Sequence, residues 1–251
     1  MELHPLARQF ATVAGAYERG RPEYAPAVVG AVAAELGLAP GDRVLDVGAG
    51  TGKLTRALIR FGFDVVALEP QPELRDVLVA GIGHDSVRAG VAEEIPLPDG
   101  SLAAVTAADA FHWFDRERAL EEIRRVLGPG GAIALLSASI DSSPASWDEE
   151  VARLVLGNRP AHPHFDGPPY MQTLGEHPGY GEPWELRVTT YAPADPERIC
   201  DALASMSWIA ALPPAERETL LTSARAIIEA GETPPTLPVH ATAVLARRAR
   251  D

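Results

Sequence analysis

Three glycines stand at alternate positions, Gly48, Gly50 and Gly52, with the carboxylate of Asp46 just before them and Glu69 further on. Glycine lets the backbone turn through left-handed conformations and lets a ligand approach where a Cβ would clash. A carboxylate about 20 residues beyond such a turn can accept hydrogen bonds from a ribose diol. A second group of reactive side chains is Asp109-Ala110-Phe111-His112-Trp113-Phe114. Imidazole can take a proton near neutral pH, so His112 is a candidate base; a shape or hydrogen-bonding role is the alternative. A third group, His162, His164 and Asp166, has H-x-H-x-D spacing. On an extended segment these side chains would share one face, as a metal site needs. A polar loop is the stronger reading, because no further ligand cluster supports a metal.

The elements that must position these groups are legible in the apolar pattern. Val44-Leu45-Asp46-Val47 reads as a buried strand, and after Gly52 the residues Leu54, Leu58 and Ile59 restart at helical spacing. Strand, glycine turn and helix begin a βαβ unit, and the new helix aims its unpaired N–H groups over the turn. A P-loop would need glycine where Val47 stands and a hydroxyl where Leu54 stands, so that reading fails. A dinucleotide fingerprint spaces its glycines G-x-G-x-x-G, unlike Gly48, Gly50 and Gly52. A second strand, Val65 to Leu68, delivers Glu69; a fourth, Leu102 to Ala108, delivers Asp109. Open α/β sheets bind ligands outside the carboxyl ends of their strands, which is where both groups fall.

The segments VLDVGAGTGKLT, ALEP, AEEIPLPDGS, the HWF cluster and the LGPGG turn (Leu127 to Gly131) that stops the preceding helix resemble the class I S-adenosylmethionine (SAM)-dependent methyltransferases, through nearly the whole chain. The resemblance implies a Rossmann-like α/β fold: a seven-stranded, mostly parallel sheet with helices on both faces and the last strand antiparallel. It implies SAM as cofactor, S-adenosylhomocysteine as product, and no metal. It assigns cofactor contacts to Asp46, Gly48, Ala49, Gly50 and Gly52. Glu69 and Pro70 fall at the ribose, Ala92 and Glu93 at the adenine edge, and Asp109 and Phe111 at the methionine side. His112 and Trp113 would face the substrate, with Trp113 beside the sulfonium or in the core. The N-terminal pattern Ala14, Tyr17, Arg21, Pro22, Tyr24 occurs in a subgroup that includes enzymes similar to trans-aconitate methyltransferases, where it forms a lid over the cofactor. A solvated arm is the alternative for Tyr17 and Arg21.

The remaining chain bounds the function. Its 251 residues, 46% apolar, suit a single domain with an N-terminal lid and helix (1–36) and a substrate-cap insertion after strand five (140–182). Helices are expected over Pro26 to Leu36, Pro72 onward, Arg116 to Leu127, Trp147 to Leu156, Asp195 to Met206 and from Pro214. Strands are expected at Ser86 to Val91, Ala132 to Leu136, Glu185 to Tyr191 and Val239 to Leu245. Asn158 to Glu182 reads as loop, and the arginines at 247, 248 and 250 as a solvated tail. Cys200, the single cysteine, excludes an internal disulfide and falls on a helical apolar face. The start of the chain carries no basic-then-apolar signal pattern and no run is long enough to span a membrane, so the expected location is cytoplasmic. A net charge of −13, from 22 Lys plus Arg against 35 Asp plus Glu, opposes nucleic acid and anionic membrane as partners. A small-molecule substrate fits, with the protein a monomer or a homodimer. The expected activity is methyl transfer from SAM to a small-molecule O, N or C atom. The alternative is a non-catalytic SAM- or S-adenosylhomocysteine-binding sensor or partner of the same fold, and the glycine spacing disfavours a nicotinamide oxidoreductase.

Overall fold

A computed structural model describes residues 3–157 and 159–250. Along the chain, a 3₁₀ turn (Ala7–Val13) precedes α1 (Ala14–Gly20) and α2 (Pro26–Leu36). Then come β1 (Arg43–Val47), α3 (Lys53–Phe61), β2 (Asp64–Leu68), α4 (Pro72–Ile82), β3 (Val87–Arg88) and β4 (Leu102–Ala108). A 3₁₀ turn over Phe111–Trp113 leads into α5 (Arg116–Val126) and β5 (Leu127–Ile140). The last part holds α6 (Asp148–Leu156), α7 (Pro163–Asp166), α8 (Tyr170–Glu176), β6 (Trp184–Pro193), α9 (Pro196–Ala204), α10 (Ser207–Ala210), α11 (Pro214–Ala230) and β7 (Thr236–Arg247). The strands form one sheet in the order β3-β2-β1-β4-β5-β7-β6; seven strands, six parallel and the last antiparallel, are what the family resemblance implied. Leu45 of β1 pairs with Val66 of β2 on one side and Val105 of β4 on the other. The order reverses between β1 and β4, and a crevice opens at such a reversal.

Alternation along the strands divides their side chains between two faces. Leu45, Val47, Val66, Leu68 and Val105 pack with Leu120 and Ile123 of α5. Val44, Val65, Ala104 and Ala134 pack with Val28, Val32 and Leu36 of α2 and Leu54 and Leu58 of α3. Leu120 and Ile123, one turn apart, are fully buried, each contributing about 1.5–3 kcal/mol. Glycine ends α2 and α3, with Gly37 at φ +65° and Gly62 at φ +106°.

Several boundaries differ from expectation. Leu127 to Gly131 is not a free turn: Leu127 already pairs with Leu102, and a register shift separates that pair from Ala104↔Ala132. Gly131 permits this, since a Cβ there would stand 2.9 Å from Gly128 O and 3.2 Å from Ala103 O. β3 shrinks to Val87–Arg88. The segment read as loop carries α7 and α8, and α1 occupies a stretch with no helical stripe. Arg248 is not part of a solvated tail, because its N–H donates to Gly131 O at 2.8 Å and its guanidinium to Leu127 O. Asn158, the first residue of the expected loop, lies outside the described residues.

The chain packs as two compact units, each of three segments. The larger comprises Glu23–Ala138, Asp166–Val188 and the residues from Ala241 on; the smaller ends its first segment at Pro22 and adds Ser139–Phe165 and Thr189–His240. The smaller unit has its own core of Trp147, Val151, Val155, Ile199, Leu203, Ile209 and Ile228, and buried Cys200 packs in it as expected. Asp195 caps α9 by accepting the Glu197 N–H at 2.9 Å. Helices α1 and α9 meet with almost no space: a Cβ on Gly20 would lie 2.1 Å from Ala202 N and 2.4 Å from Asp201 C, while Arg19 pairs with Asp201 at 2.7 Å.

Gly20→Ala is therefore expected to lower stability by about 1–3 kcal/mol, because the new methyl meets backbone. Gly15→Ala, whose Cβ meets only the Arg19 guanidinium at 3.3 Å, should gain about 0.5–1 kcal/mol from helix propensity. Urea unfolding of both variants checks this contrast, and equal effects would refute the close α1–α9 contact.

Candidate functional site

The turn after β1 is wired to the end of β2. Leu68 O accepts from Gly48 N–H at 2.8 Å and from Ala49 N–H at 3.1 Å. Gly48 has φ +67°, and a Cβ there would press on Ala110 Cβ at 2.7 Å. Gly52, at φ +91°, starts α3, and a Cβ there would stand 2.5 Å from Leu78 Cδ1. Gly50 differs: its φ is +57°, and a Cβ would meet nothing within 4 Å. Gly48 and Gly52 thus serve packing, whereas Gly50 serves the turn and leaves its side open to a ligand.

Glu69 holds this turn. Its side chain is buried, with Oε2 accepting from Gly50 N–H and Oε1 from Gln71 N–H, both at 2.9 Å. Burial raises its carboxyl above the ordinary range, opposed by those N–H groups and by Arg75. Arg75 in turn donates to the carbonyls of Glu69 and Pro70, at 2.9 Å and 2.6 Å. A carboxylate has about four lone-pair sites, so each Glu69 oxygen can still accept one ligand hydroxyl. Asp46 faces inward, 1% exposed, accepting from the Thr55 hydroxyl at 2.6 Å and the Thr106 hydroxyl at 3.3 Å. Burial pushes its carboxyl up to about 7, the two hydroxyls opposing and the nearby Glu69 charge adding. Thr51 Oγ1 is buried in the same turn without a hydrogen-bond partner among the described residues. Such an atom costs about 1–3 kcal/mol unless something binds it.

The end of β4 brings the second group beside the turn. Asp109 has φ +49°, a left-handed conformation that Asp tolerates better than most residues. Its N–H donates to Leu136 O at 2.9 Å, and its Oδ2 accepts from the Tyr24 hydroxyl at 3.3 Å. Phe111 is fully buried and meets Phe114 and Tyr170 edge-on, at 5.9 Å and 5.3 Å between centroids. His112 is buried with Nδ1 3.0 Å from the Tyr170 hydroxyl, and its ring lies 4.5 Å from that of Trp113.

The other expected site residues are placed as follows. Ala92 is buried in the core, and Glu93 Oε1 accepts from Asp115 N–H at 2.7 Å, at the start of α5. Tyr17 and Arg21 belong to the smaller unit, where the Arg21 guanidinium lies 5.8 Å from the Tyr17 ring centroid and donates to Ser205 Oγ at 2.9 Å. His162 is buried, 2.9 Å from Ser207 Oγ, and accepts from its neighbour His164 N–H at 3.2 Å. The stretch Pro163–Asp166 is helical, which removes the alternation that the H-x-H-x-D reading needed. Among the described residues, no three His, Cys, Asp or Glu side chains cluster as metal ligands. Sequence reasoning missed Thr55, Thr106 and Tyr170 entirely. The first two are ordinary helix and strand residues in sequence; Tyr170 had one signal, Pro168-Pro169 marking a helix start.

Comparison with known proteins follows the same outline. A methyltransferase domain family model matches residues 45–135. An uncharacterized methyltransferase of Mycobacterium tuberculosis is 37% identical over 224 residues, 89% of this chain and 86% of that protein. An uncharacterized methyltransferase of Schizosaccharomyces pombe is 34% identical over 221 residues, 86% of this chain and 85% of that protein. Among solved structures, one from Anaeromyxobacter dehalogenans, described provisionally as a type II methyltransferase, aligns with TM-score 0.60 and 25% identity, covering 92% of this chain and 97% of that one.

The raised Asp46 pKa fixes the sign of a pH effect. The native state holds this proton up to about pH 7, whereas the unfolded state releases it near pH 4. Stability contributed by the protonated group is thus lost as pH rises through that window, on the order of 1.4 kcal/mol per unit. Asp46→Asn should gain stability relative to the parent at pH 8 and lose that advantage toward pH 4. Denaturant midpoints at both pH values check it, and a pH-independent difference would refute the assignment.

Proposed function

Because this chain belongs to the class I SAM-dependent methyltransferases, we propose that it transfers a methyl group from SAM to a small-molecule acceptor in the cytoplasm. The observation that carries this reading is the Glu69 carboxylate, which grips the glycine turn at Gly50 and keeps lone pairs for a diol. When bound, SAM supplies a sulfonium whose methyl carbon is already electrophilic.

What remains for the chain is to hold, orient and exclude water. Glu69 accepts the ribose hydroxyls. Gly50 gives the backbone close approach to the cofactor, Gly48, Ala49 and Gly52 shape the turn around it, and Asp46 orders the turn through Thr55 and Thr106. Pro70, Ala92 and Glu93 form the adenine edge, Glu93 through its backbone because its carboxylate is held at Asp115. Asp109 and Phe111 line the methionine side, with Tyr24 steadying Asp109. His112 and Trp113 meet the acceptor. The acidic surface favours a metabolite over nucleic acid, and no helix of the described residues is long and apolar enough to cross a membrane.

Two measurements test this reading. Glu69→Ala should weaken SAM binding by about 1–3 kcal/mol in calorimetry, the worth of a charged hydrogen bond; unchanged affinity would remove the ribose assignment. Transfer of labelled methyl from SAM across a broad metabolite panel should yield a product, with kcat reduced on the order of 10²-fold in His112→Ala. Absence of any product would shift the assignment to a binding protein without turnover.

A further inference from the structure

The two edges of the sheet differ. β3 ends one side and is two residues long, which leaves little backbone for another chain to pair with. β6 ends the other side and runs for 10 residues. No strand of the described residues lies beyond it, so its outer row of N–H and C=O groups is a template for one more strand. Proline cannot donate to such a row. It stands just before the strand, at Pro183, and at its last residue, Pro193, so the residues between are uninterrupted.

Residues 184–188 of this edge belong to the larger unit and present two unlike faces. Trp184, Leu186 and Val188 are half-buried against the core that holds α2, and the Trp184 indole donates to Glu35 on that helix at 3.2 Å. Glu185 and Arg187 are exposed on the opposite face and pair with each other along the strand. They are the only charged residues between Trp184 and Pro193.

The spacing of those two charges decides what the edge accepts. When two copies of one strand pair antiparallel about a two-fold axis, directly opposed residues share a face, so the axis passes through a residue. With the axis at Leu186, Glu185 stands opposite the partner's Arg187, and Arg187 opposite the partner's Glu185. On the other face Leu186 meets the partner's Leu186, and Trp184 meets the partner's Val188, an aromatic and β-branched pair. An axis at Glu185 sets glutamate against glutamate, and one at Arg187 sets arginine against arginine, both destabilising. An axis at Trp184 or Val188 leaves both charges without a counter-charge. One register alone satisfies both faces.

We propose that β6 is a homodimer interface, on which a second copy of this chain adds its own β6 antiparallel across Leu186 and joins the two seven-stranded sheets into one. The contact is isologous and uses the one long edge of each copy, so assembly stops at two. Charge on an edge strand opposes pairing when like charges meet. Here the charges select the partner and the register together.

Sedimentation equilibrium of the full-length protein tests this. The parent is expected to approach the dimer mass as its concentration rises. Glu185→Arg opposes arginine to arginine, and Arg187→Glu opposes glutamate to glutamate, so each variant alone should dimerise at least about 10-fold more weakly. An equimolar mixture of the two variants restores both opposite-charge pairs and should return to the dimer mass. Recovery in the mixture also shows that both variants are folded. A parent that stays monomeric or grows beyond the dimer would overturn the proposal. So would variants that dimerise as the parent does, or a mixture that associates no more tightly than its components.

Discussion

The site depends on one buried carboxylate bonded to a backbone. Glu69 is 3% exposed and would be costly there unless its oxygens were satisfied. Gly50 N–H and Gln71 N–H satisfy one lone pair each. The same two bonds join the end of β2 to the turn after β1, which Leu68 O already ties through Gly48 and Ala49. The carboxylate is thus fixed in place by the groups it serves. A side chain so held offers its remaining lone pairs in a set direction, which is what binding a diol without reorganisation demands.

The same logic extends across β1 to β4. Asp46, next in line, is buried against Thr55 and Thr106, so the end of β1 is linked to α3 and to β4. Gly48 lets Ala110 close up on the turn, and Asp109 is held at φ +49° by its bond to Leu136 O. Strain at Asp109 and a buried carboxyl at Asp46 are unfavourable by themselves. Both are sustained by the apolar packing of β1 and β4 on two faces, where Leu45, Val47, Val105 and Ala104 are fully buried.

The glycine turn, Glu69 and the Asp109–Phe114 cluster were legible in the sequence because each combines residue type with spacing along one continuous element. So were α2, from Pro26 to Gly37, and α9 with its Asp195 cap, because their ends carry local chemistry. The order of strands was not legible from pattern, since a period of two says which face is buried but not which strand lies alongside; it came from family resemblance. Thr55 and Thr106 were invisible for a related reason, their role at Asp46 existing only once α3 packs on β1 and β4 pairs beside it. Tyr170 reaches His112 through a helix in a stretch whose prolines and glycines obscured any periodicity. The LGPGG stretch misled because glycine and proline signal a turn, whereas here glycine admits the strand where a Cβ would meet the carbonyls of Gly128 and Ala103.

The most direct test of the account is calorimetric titration of ligand-free protein with SAM, S-adenosylhomocysteine and NAD. The geometry of Gly48 to Gly52 with Glu69 predicts saturable binding of the first two and none of NAD. Binding of NAD alone, or of none of the three, would contradict the assignment of that turn to SAM.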